Sequence, residues 1–394
     1  MSSAPVRLNQ RIQYLDILRG IAISGVLFAF AFWNLGTEPT ANWTRFDKIL
    51  DEVGTFLIDS KCYTTLACLF AIGFVLHMDK TNDKARSLHT YRRRLLGLLI
   101  IGAIHALLLR NGDILAPYAI TSFIVTFFYR ASNRAIAIAM IIVVLLQVLL
   151  PEVWLWTGFS FPRRPDIQGA TYLAENFQWV KYWYVTSIFF WETTFFLLLL
   201  GLLVGRHFIQ KKRTLNNRQL LAIILIGLVL GTGSYLLTGA YQGLLADLPD
   251  IGNTYITRSL ASGLLDLVHK IGMASAYACI VYLLCRRFSL SGFANLGRMS
   301  LTNYIIQAVI IIPASIIFNL FDHVTPTIAL VMTGVVWVFQ IFFSNSWLSH
   351  HKFGPVEWLL RRFTYGRAMA ADNKQEQMEL SEIPVMVRLP YASK

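Results

Sequence analysis

The sequence predicts an all-α protein, a polytopic membrane helical bundle of about ten transmembrane helices. The first observation is composition: 55% of the 394 residues are hydrophobic, only 14% are charged, and the mean hydropathy is +0.53. Soluble domains carry roughly 25% charged residues. The second observation is that long apolar runs recur and approach the roughly 20 residues that cross a bilayer. The third is that these runs are apolar all round, whereas barrel strands alternate over about ten residues.

The predicted spans follow one another along residues 1–345, which we interpret as the transmembrane bundle. A longer connection, Pro151–Lys181, is rich in Trp, Tyr and Pro, so we expect it at the membrane interface. Residues 346–394 are predicted to form a cytoplasmic interfacial segment and a polar tail. The predicted spans are Leu15–Leu35, Thr55–Met78, Leu95–Leu109, Ile114–Tyr129, Ala135–Leu150, Tyr182–Val204, Leu220–Leu237, Ala261–Cys285, Leu301–Leu320 and Thr327–Phe343.

Lysine and arginine residues predict the orientation. They collect in every second connection and are sparse in the connections between, and cytoplasmic loops carry such an excess. Both termini are therefore predicted to be cytoplasmic, which requires an even number of spans. The net charge of +13 is explained by these loops beside anionic lipid, and no nucleic-acid-binding motif is present in the sequence.

Metal and cofactor motifs are absent from the sequence. The four cysteines lie inside apolar runs, at spacings that fit neither a zinc site nor a disulfide framework. Phosphate-binding and hydrolase motifs of the common types are also missing. We therefore expect no metal and no tightly bound cofactor.

His105 is the candidate catalytic base. It lies inside the third predicted span, where an ionisable side chain is costly and points to function. Asp113 follows eight residues later, after the polar turn that begins at Arg110. If this turn folds back, the carboxylate orients the imidazole as a general base requires. A neutral imidazole that only bonds to a neighbouring helix is the alternative, and the sequence leaves both open.

Polar residues on the predicted cytoplasmic side form a second candidate group. Arginine matches phosphate oxygens with paired donors, so these arginines could together hold a phosphorylated ligand. The alternative is structural: Asp16 and Arg19 can pair on one helix face, and the arginine triplet can anchor the topology. The candidate ligand-binding residues on this side are Arg19, Arg92, Arg93, Arg94, Arg298, Asn303 and Gln307.

Other intramembrane polar residues lie towards the predicted outer side. Asn34, near the end of the first span, and Glu192, which stands alone in the sixth, are further candidate substrate-binding residues. Asp266, His269 and Lys270 share the eighth span, where Asp266 and Lys270 can pair four residues apart. Glu192 is either a protonated carboxyl bonded to a neighbour or part of a proton path.

Five segments carry a resemblance to the YeiB-like family of bacterial membrane proteins. The third and the last two, in this order, are the specific ones, and the region between Thr121 and Phe293 matches only as apolar spans. The segments are Leu15–Leu27, Ser60–Phe74, Arg92–Ile120, Leu296–Gln307 and Phe353–Gly366.

The family is similar to the broader transmembrane acyltransferases. The resemblance implies a bundle of ten or so helices in the bacterial cell membrane. It also implies transfer of an acyl group from cytoplasmic acyl-coenzyme A to an acceptor reached from the other side. One departure concerns the first span: these relatives usually carry Asn or His eleven residues after the arginine that matches Arg19, and here that position is Phe30. Asn34 lies one helical turn further on.

The leading hypothesis is therefore a membrane acyltransferase. In it, the arginines hold the phosphates of acyl-coenzyme A, His105 deprotonates a hydroxyl or amine of a small-molecule or glycan acceptor, and Asp113 orients His105. Asn303 or Gln307 would bond to the donor. A transporter or exporter that uses Glu192 and the Asp266 group is the alternative. A membrane scaffold whose polar residues only join helices is a third. The sequence leaves the oligomeric state open, a homo-oligomer included.

Overall fold

The computed structural model describes residues 5–34, 43–79, 83–109, 112–157, 172–186, 188–211, 215–245, 253–318 and 324–366. Within these ranges the regular structure is helical, with no β-strand. Two short segments depart from α-geometry, a 3₁₀ turn at Thr126–Arg130 and a π turn at Arg206–Gln210. The prediction of an all-α fold is confirmed for this part of the chain.

The helices are numbered α1 to α14 in chain order. They are α1 (Pro5–Asn34), α2 (Arg45–Leu57), α3 (Lys61–Asp79), α4 (Lys84–Leu108), α5 (Leu115–Val125), α6 (Asn133–Thr157), α7 (Tyr172–Thr186), α8 (Ile188–Gly205), α9 (Asn217–Leu245), α10 (Asn253–Cys285), α11 (Ser291–Arg298), α12 (Ser300–Ile317), α13 (Pro326–His350) and α14 (Pro355–Tyr365).

Seven helical segments in the described ranges are long and apolar enough to cross a membrane. The fold is thus that of a helical membrane protein, and the count of ten spans with cytoplasmic termini stays a prediction. The seven segments are Gln13–Phe32, Arg45–Asp79, Trp191–Gln210, Asn217–Tyr241, Ser262–Cys285, Ser300–Ile317 and Pro326–His350.

The third, fourth and fifth predicted spans are helical but fall outside these seven. α4 carries three consecutive arginines, which interrupt its apolar stretch. α5 has only 11 residues before the chain tightens into the 3₁₀ turn. In α6 the apolar helical segment Asn133–Gln147 is followed by residues whose side chains lie largely outside the described part of the chain.

The structure divides the second predicted span into two helices and places part of a helix, α7, in the predicted connection Pro151–Lys181. The second predicted span contains a turn at Ile58–Ser60 between α2 and α3, where Ser60 adopts a left-handed φ of 61°. The aromatic-rich connection expected at the interface includes the start of α7, whereas residues 158–171 lie outside the described ranges. The Asn176 side chain on α7 donates to the carbonyls of Ala106 and Leu107 at 2.6 and 2.7 Å, so α7 packs on the C-terminal end of α4.

α1 and α11 cross at a close contact between two glycines. A Cβ atom on Gly297 would overlap the carbonyl oxygen of Asp16, and one on Gly20 would overlap the carbonyl oxygen of Phe293. Only glycine leaves room for two backbones at this separation. The crossing joins the first segment of the family resemblance to the fourth.

Glu357 joins the fourth segment of the resemblance to the fifth. Its Oε1 atom accepts hydrogen bonds from the backbone amides of Leu301 at 2.7 Å and Thr302 at 3.0 Å. These amides belong to the first turn of α12, which has no earlier carbonyl to bond to and favours negative charge. Burial raises the pKa of Glu357, and the bonds from Thr302 and Leu301 oppose that shift. We call this end of the bundle, where α12 and α14 begin and the α4 arginines lie, the basic end.

Candidate functional site

His105 and Asp113 come together at the turn that joins α4 to α5. The His105 Nδ1 and Asp113 Oδ1 atoms are 3.1 Å apart, and the side chains are 2% and 0% exposed. The other oxygen of Asp113, Oδ2, accepts the backbone amide of Ala116 at 2.8 Å. Gly102 faces this turn, and a Cβ atom there would come 2.8 Å from Asp113 Oδ2. Glycine at this position therefore lets the turn fold back on α4.

The imidazole is buried, and its Nδ1 atom faces the Asp113 carboxylate. Within the described ranges neither ring nitrogen of His105 makes a well-aligned hydrogen bond, although Nδ1 is within bonding distance of Asp113. Such looseness is common in catalytic pairs without substrate, since the bonds tighten in the reacting complex. Nε2 is thus the nitrogen on which an acceptor proton could be received.

Tyr304 on α12 completes the group, although no sequence pattern singled it out. Its hydroxyl donates to Asp113 Oδ1 at 3.1 Å and accepts the backbone amide of Ile114 at 3.3 Å. Its ring centre lies 4.8 Å from that of the imidazole. A buried tyrosine hydroxyl normally finds a partner. The signal available in the sequence was the position of Tyr304 between Asn303 and Gln307, inside a segment of the resemblance.

A tight cavity, with no room for a water molecule, lies beside His105. Gln307 is part of its wall, held by bonds from its amide nitrogen to the Ile23 carbonyl at 3.2 Å and the Gln340 side chain at 3.4 Å. Phe30 is also part of the wall and only 3% exposed, so the position at which this chain departs from its relatives belongs to the site. The lining residues are Phe30, His105, Tyr304, Gln307 and Ala308.

Asn303 faces away from this cavity. Its side-chain nitrogen donates to Ser344 Oγ at 2.9 Å and to the Leu296 carbonyl at 3.2 Å. Its backbone carbonyl accepts the amide of Gln340 at 2.8 Å. Asn303 therefore joins α12 to α11 and α13, and Gln340 on α13 links it to Gln307, although only Gln307 lines the cavity.

Three of the five predicted arginines, Arg19, Arg94 and Arg298, interact at the basic end with each other or with Asp16 and Glu357. Arg19 forms an ion pair of 2.8 Å with Asp16 and is 31% exposed. Arg19 also interacts electrostatically with Arg94 and Glu357, and Asp16 with Arg298. Arg94 and Arg298 are exposed. Guanidinium donors at this place are thus available to an anionic ligand.

Arg92 and Arg93 point elsewhere, because successive residues on a helix are about 100° apart. Arg92 Nε donates to Thr126 Oγ1 at 3.1 Å, and its guanidinium lies 4.8 Å from the ring centre of Phe127. Arg93 donates to the Phe363 carbonyl on α14 at 2.9 Å. The five arginines proposed from the sequence therefore do not form one cluster.

Arg94 and His105 share one face of α4. Eleven residues separate them, which is close to three full turns and about 17 Å along the axis. The exposed guanidinium thus stands at the basic end, and the imidazole lies deep in the bundle on the same side of the helix.

The remaining candidates from the sequence outside α10 are Asn34 on α1 and Glu192 on α8. The side chain of Asn34 lies outside the part of the chain whose side chains the structure describes. Glu192 is on α8, and its Oε2 atom is buried with no hydrogen-bond partner among the described residues. The described ranges contain no cluster of three or more His, Cys, Asp or Glu side chains that could hold a metal.

A second charged group lies between the α2–α3 turn and α10. Asp266 and Lys270 form an ion pair, and both interact electrostatically with Asp59. Lys61 is 2% exposed and donates to the Thr55 carbonyl at 2.6 Å. His269, 4% exposed, contacts the Gly231 carbonyl through Nδ1 at 2.8 Å. Residue spacing grouped the α10 residues but did not connect them to Asp59 and Lys61.

Fold and site together define a helical membrane protein with a buried His–Asp–Tyr group. Residues 204–367 match the family described as "Protein of unknown function (DUF418)". The chain is 28% identical to "Uncharacterized protein YxaH" of Bacillus subtilis (strain 168), over 92% of this chain and 96% of that protein. It is 26% identical to "Uncharacterized protein YeiB" of Escherichia coli (strain K12), over 91% of this chain and 98% of that protein. The resemblance to the YeiB-like family is thus confirmed.

A third relative extends the same likeness. The chain is 28% identical to an "Uncharacterized 39.9 kDa protein in amylase 3'region" of Bacillus acidopullulyticus, over 94% of this chain and 99% of that protein. All three alignments cover more than nine-tenths of this chain. None of the three names states an activity.

Proposed function

We propose that the protein is a multipass acyltransferase of the bacterial cell membrane. It would transfer a short acyl group from cytoplasmic acyl-coenzyme A to a hydroxyl or amine of a small-molecule or glycan acceptor. The observation that supports this best is the buried His105–Asp113–Tyr304 group beside a cavity, on the helix face whose other end carries Arg94.

The arginines at the basic end suit the phosphates of coenzyme A. Arg94 and Arg298 are exposed, and the Arg19 side chain is 31% exposed although it pairs with Asp16. Guanidinium groups recognise phosphate through paired donors. Arg92 and Arg93 are directed to other partners, so this proposal assigns them no part in donor binding.

The proposed chemistry assigns a role to each residue of the buried group. His105 Nε2 takes the proton from the acceptor as its oxygen or nitrogen attacks the acyl carbonyl carbon, and His105 then gives a proton to the departing sulfur. Asp113 orients the imidazole through Nδ1, while Tyr304 and the Ala116 amide hold Asp113 in place. The activated thioester is the chemistry that acyl-coenzyme A supplies. Gln307 already donates both amide hydrogens, to Ile23 and Gln340, so in this proposal it shapes the cavity wall beside the acyl group.

The cavity favours a small acyl group. Its apolar walls, Phe30 and Ala308, leave no room for a water molecule, so an acetyl group, which needs the least opening, suits the site better than a long chain. Since the His–Asp–Tyr group is buried, the acceptor must enter through a local movement, as in many enzymes that exclude water.

Acetyl transfer by purified protein tests this proposal. The full chain in proteoliposomes is given labelled acetyl-coenzyme A and a bacterial envelope extract, and labelled products are separated. Label transfer that His105→Gln abolishes, and that His89→Gln retains, is the expected result. His89 is a matched control because it is an exposed histidine on the same helix. Equal transfer by both variants would remove His105 from the mechanism.

Transport is the second candidate, and the charged group around Lys61 favours it. Ionisable residues inside a membrane commonly mark substrate or proton pathways. Here Asp59, Lys61, Asp266 and Lys270 combine two charges of each sign beside the buried His269. Glu192 is a further residue that such a path could use.

Flux measurements separate the two candidates. Transport predicts proton-gradient-driven movement of a labelled solute that Lys61→Met abolishes and His105→Gln leaves intact. Acyl transfer predicts instead that His105→Gln abolishes product formation and that Lys61→Met leaves it intact. No solute movement above that of protein-free liposomes, or movement that Lys61→Met leaves unchanged, would argue against transport through this charged group.

A further inference from the structure

α14 exposes an apolar face although it lies outside the candidate spans. Its opposite face is buried, with Leu360 6% and Thr364 2% exposed. On the outward face Trp358, Leu359 and Phe363 are 45%, 53% and 40% exposed. A helix with an apolar face and flanking basic residues lies in the interfacial layer of a bilayer.

This face is held in place by the rest of the molecule. Glu357 bonds to the first turn of α12, and Gly97 on α4 leaves room for Leu360 and Phe363, since a Cβ atom there would come within 2.7 and 2.9 Å of them. The exposed side chains therefore cannot turn inward without breaking both contacts.

Two exposed arginines border the apolar face. The Arg362 guanidinium lies 5.5 Å from the ring centre of Trp358. Arg93 donates to the Phe363 carbonyl at 2.9 Å, which places it at the junction of α4 and α14. Each guanidinium has five N–H donors, and these contacts leave most of them for a further anionic partner.

An exposed apolar stripe runs along α4 from Arg93 into the bundle's membrane zone. Leu96, Ile100 and Ile104 are 50%, 44% and 53% exposed. They follow Arg93 at intervals of three and four residues, so they lie on one helix face. A phosphate at Arg93 would thus have an apolar track beside it, long enough for an acyl chain.

We propose that α4 and α14 form a binding site for an anionic phospholipid. Arg93 and Arg362 hold its phosphate, Trp358 and Phe363 pack at the headgroup level, and an acyl chain lies along the α4 stripe. The combination of two exposed arginines with an exposed apolar stripe selects a lipid over a free phosphate. This inference is independent of the acyl-transfer proposal, which uses Arg19, Arg94 and Arg298.

Lipid retention in purified protein tests the site. The full chain is purified in mild detergent, and bound lipid is measured by native mass spectrometry after addition of equal amounts of phosphatidylglycerol and phosphatidylcholine. We expect at least a fivefold preference for phosphatidylglycerol, lost in the Arg93→Gln/Arg362→Gln double variant. Arg287→Gln is the matched control, because Arg287 is also an exposed arginine and lies beyond the end of α10.

Thermal unfolding gives a second readout. Phosphatidylglycerol should raise the Tm of the wild type and of Arg287→Gln but not that of the double variant, and inorganic phosphate should raise none of them. If the double variant does not fold, Arg362→Gln alone carries the test. Equal retention of both lipids by the wild type, unchanged phosphatidylglycerol binding in the arginine variant, or the same stabilisation by inorganic phosphate would overturn the proposal.

Discussion

Phe30 on α1 and His105 on α4 line the same cavity. The family resemblance implies a polar residue at the position of Phe30, and this position borders the buried imidazole. The cavity of this chain therefore presents an apolar wall to His105.

The Phe30 wall predicts acyl-chain selectivity. Phe30→Leu should enlarge the space beside His105 and raise propionyl transfer relative to acetyl transfer by roughly tenfold, about 1.4 kcal/mol in relative barrier. The ratio is measured with both labelled donors in competition. Phe32→Leu is the control, since Phe32 is fully buried on the same helix but does not line the cavity. An equal change in both variants would trace the effect to general loosening of α1.

The Tyr304 hydroxyl predicts a loss of activity with modest loss of stability. Tyr304→Phe removes the donor to Asp113, so acyl transfer should fall roughly tenfold to a hundredfold while the free energy of unfolding falls by about 1–2 kcal/mol. Tyr118→Phe is the matched control, because its hydroxyl donates to the Tyr63 carbonyl at 2.9 Å. Activity and Tm are compared for both variants. Tyr304→Phe enzyme that works as well as Tyr118→Phe enzyme would show that the hydroxyl has no positioning role.

The α1–α11 crossing predicts a severe folding defect from one methyl group. Gly297→Ala would place a Cβ atom on the backbone of Asp16, and packed backbones cannot yield as a side chain can. The Tm should fall by several degrees or the protein should not accumulate. Gly334→Ala is the control, because a Cβ atom added there would meet no neighbour within 4 Å outside its own helix backbone. Similar melting of both variants would contradict the close crossing.

Glu357 predicts a pH dependence of stability. Burial raises its pKa above the ordinary value of 4.5, so the folded protein binds this proton more tightly than the unfolded chain. The contribution of Glu357 to the free energy of unfolding is therefore largest below pH 4.5 and falls as the pH rises towards the raised pKa. The Glu357→Gln variant has no titratable group at this position, so it lacks this contribution at every pH.

The measurement is the Tm difference between wild type and Glu357→Gln across this range. The wild type should lose stability relative to the variant as the pH increases. A difference that stays constant, or that changes in the opposite direction, would mean that the bonds from Leu301 and Thr302 outweigh burial.

The sequence predicted the helices and the proximity of His105 and Asp113 better than it predicted which side chains from distant helices lie together. Apolar runs and the Asn111–Gly112 turn are local signals, so the helical segments and the candidate pair His105 and Asp113 could be proposed directly. Tyr304 reaches Asp113 from a helix far along the chain, and no local pattern records that contact. The same holds for Lys61 and its partners on α10.

Arginine grouping failed for a related reason. Consecutive arginines look like one cluster in a sequence, but the helix turns them towards α5, α14 and α1 in succession. Asn303 and Gln307 look equivalent on α12, and their neighbours on α13 give them different partners. Which helices surround α4 and α12 is tertiary information, which residue spacing alone does not contain.

Transfer of labelled acetyl groups by the reconstituted protein is the decisive measurement for the proposed chemistry. Wild type and His89→Gln are compared with His105→Gln and Asp113→Asn, each checked for folding by its melting curve. We predict product formation by the first two, none by His105→Gln and at most a few per cent by Asp113→Asn. Acetyl transfer that survives in folded His105→Gln protein would contradict the role of His105 as the base.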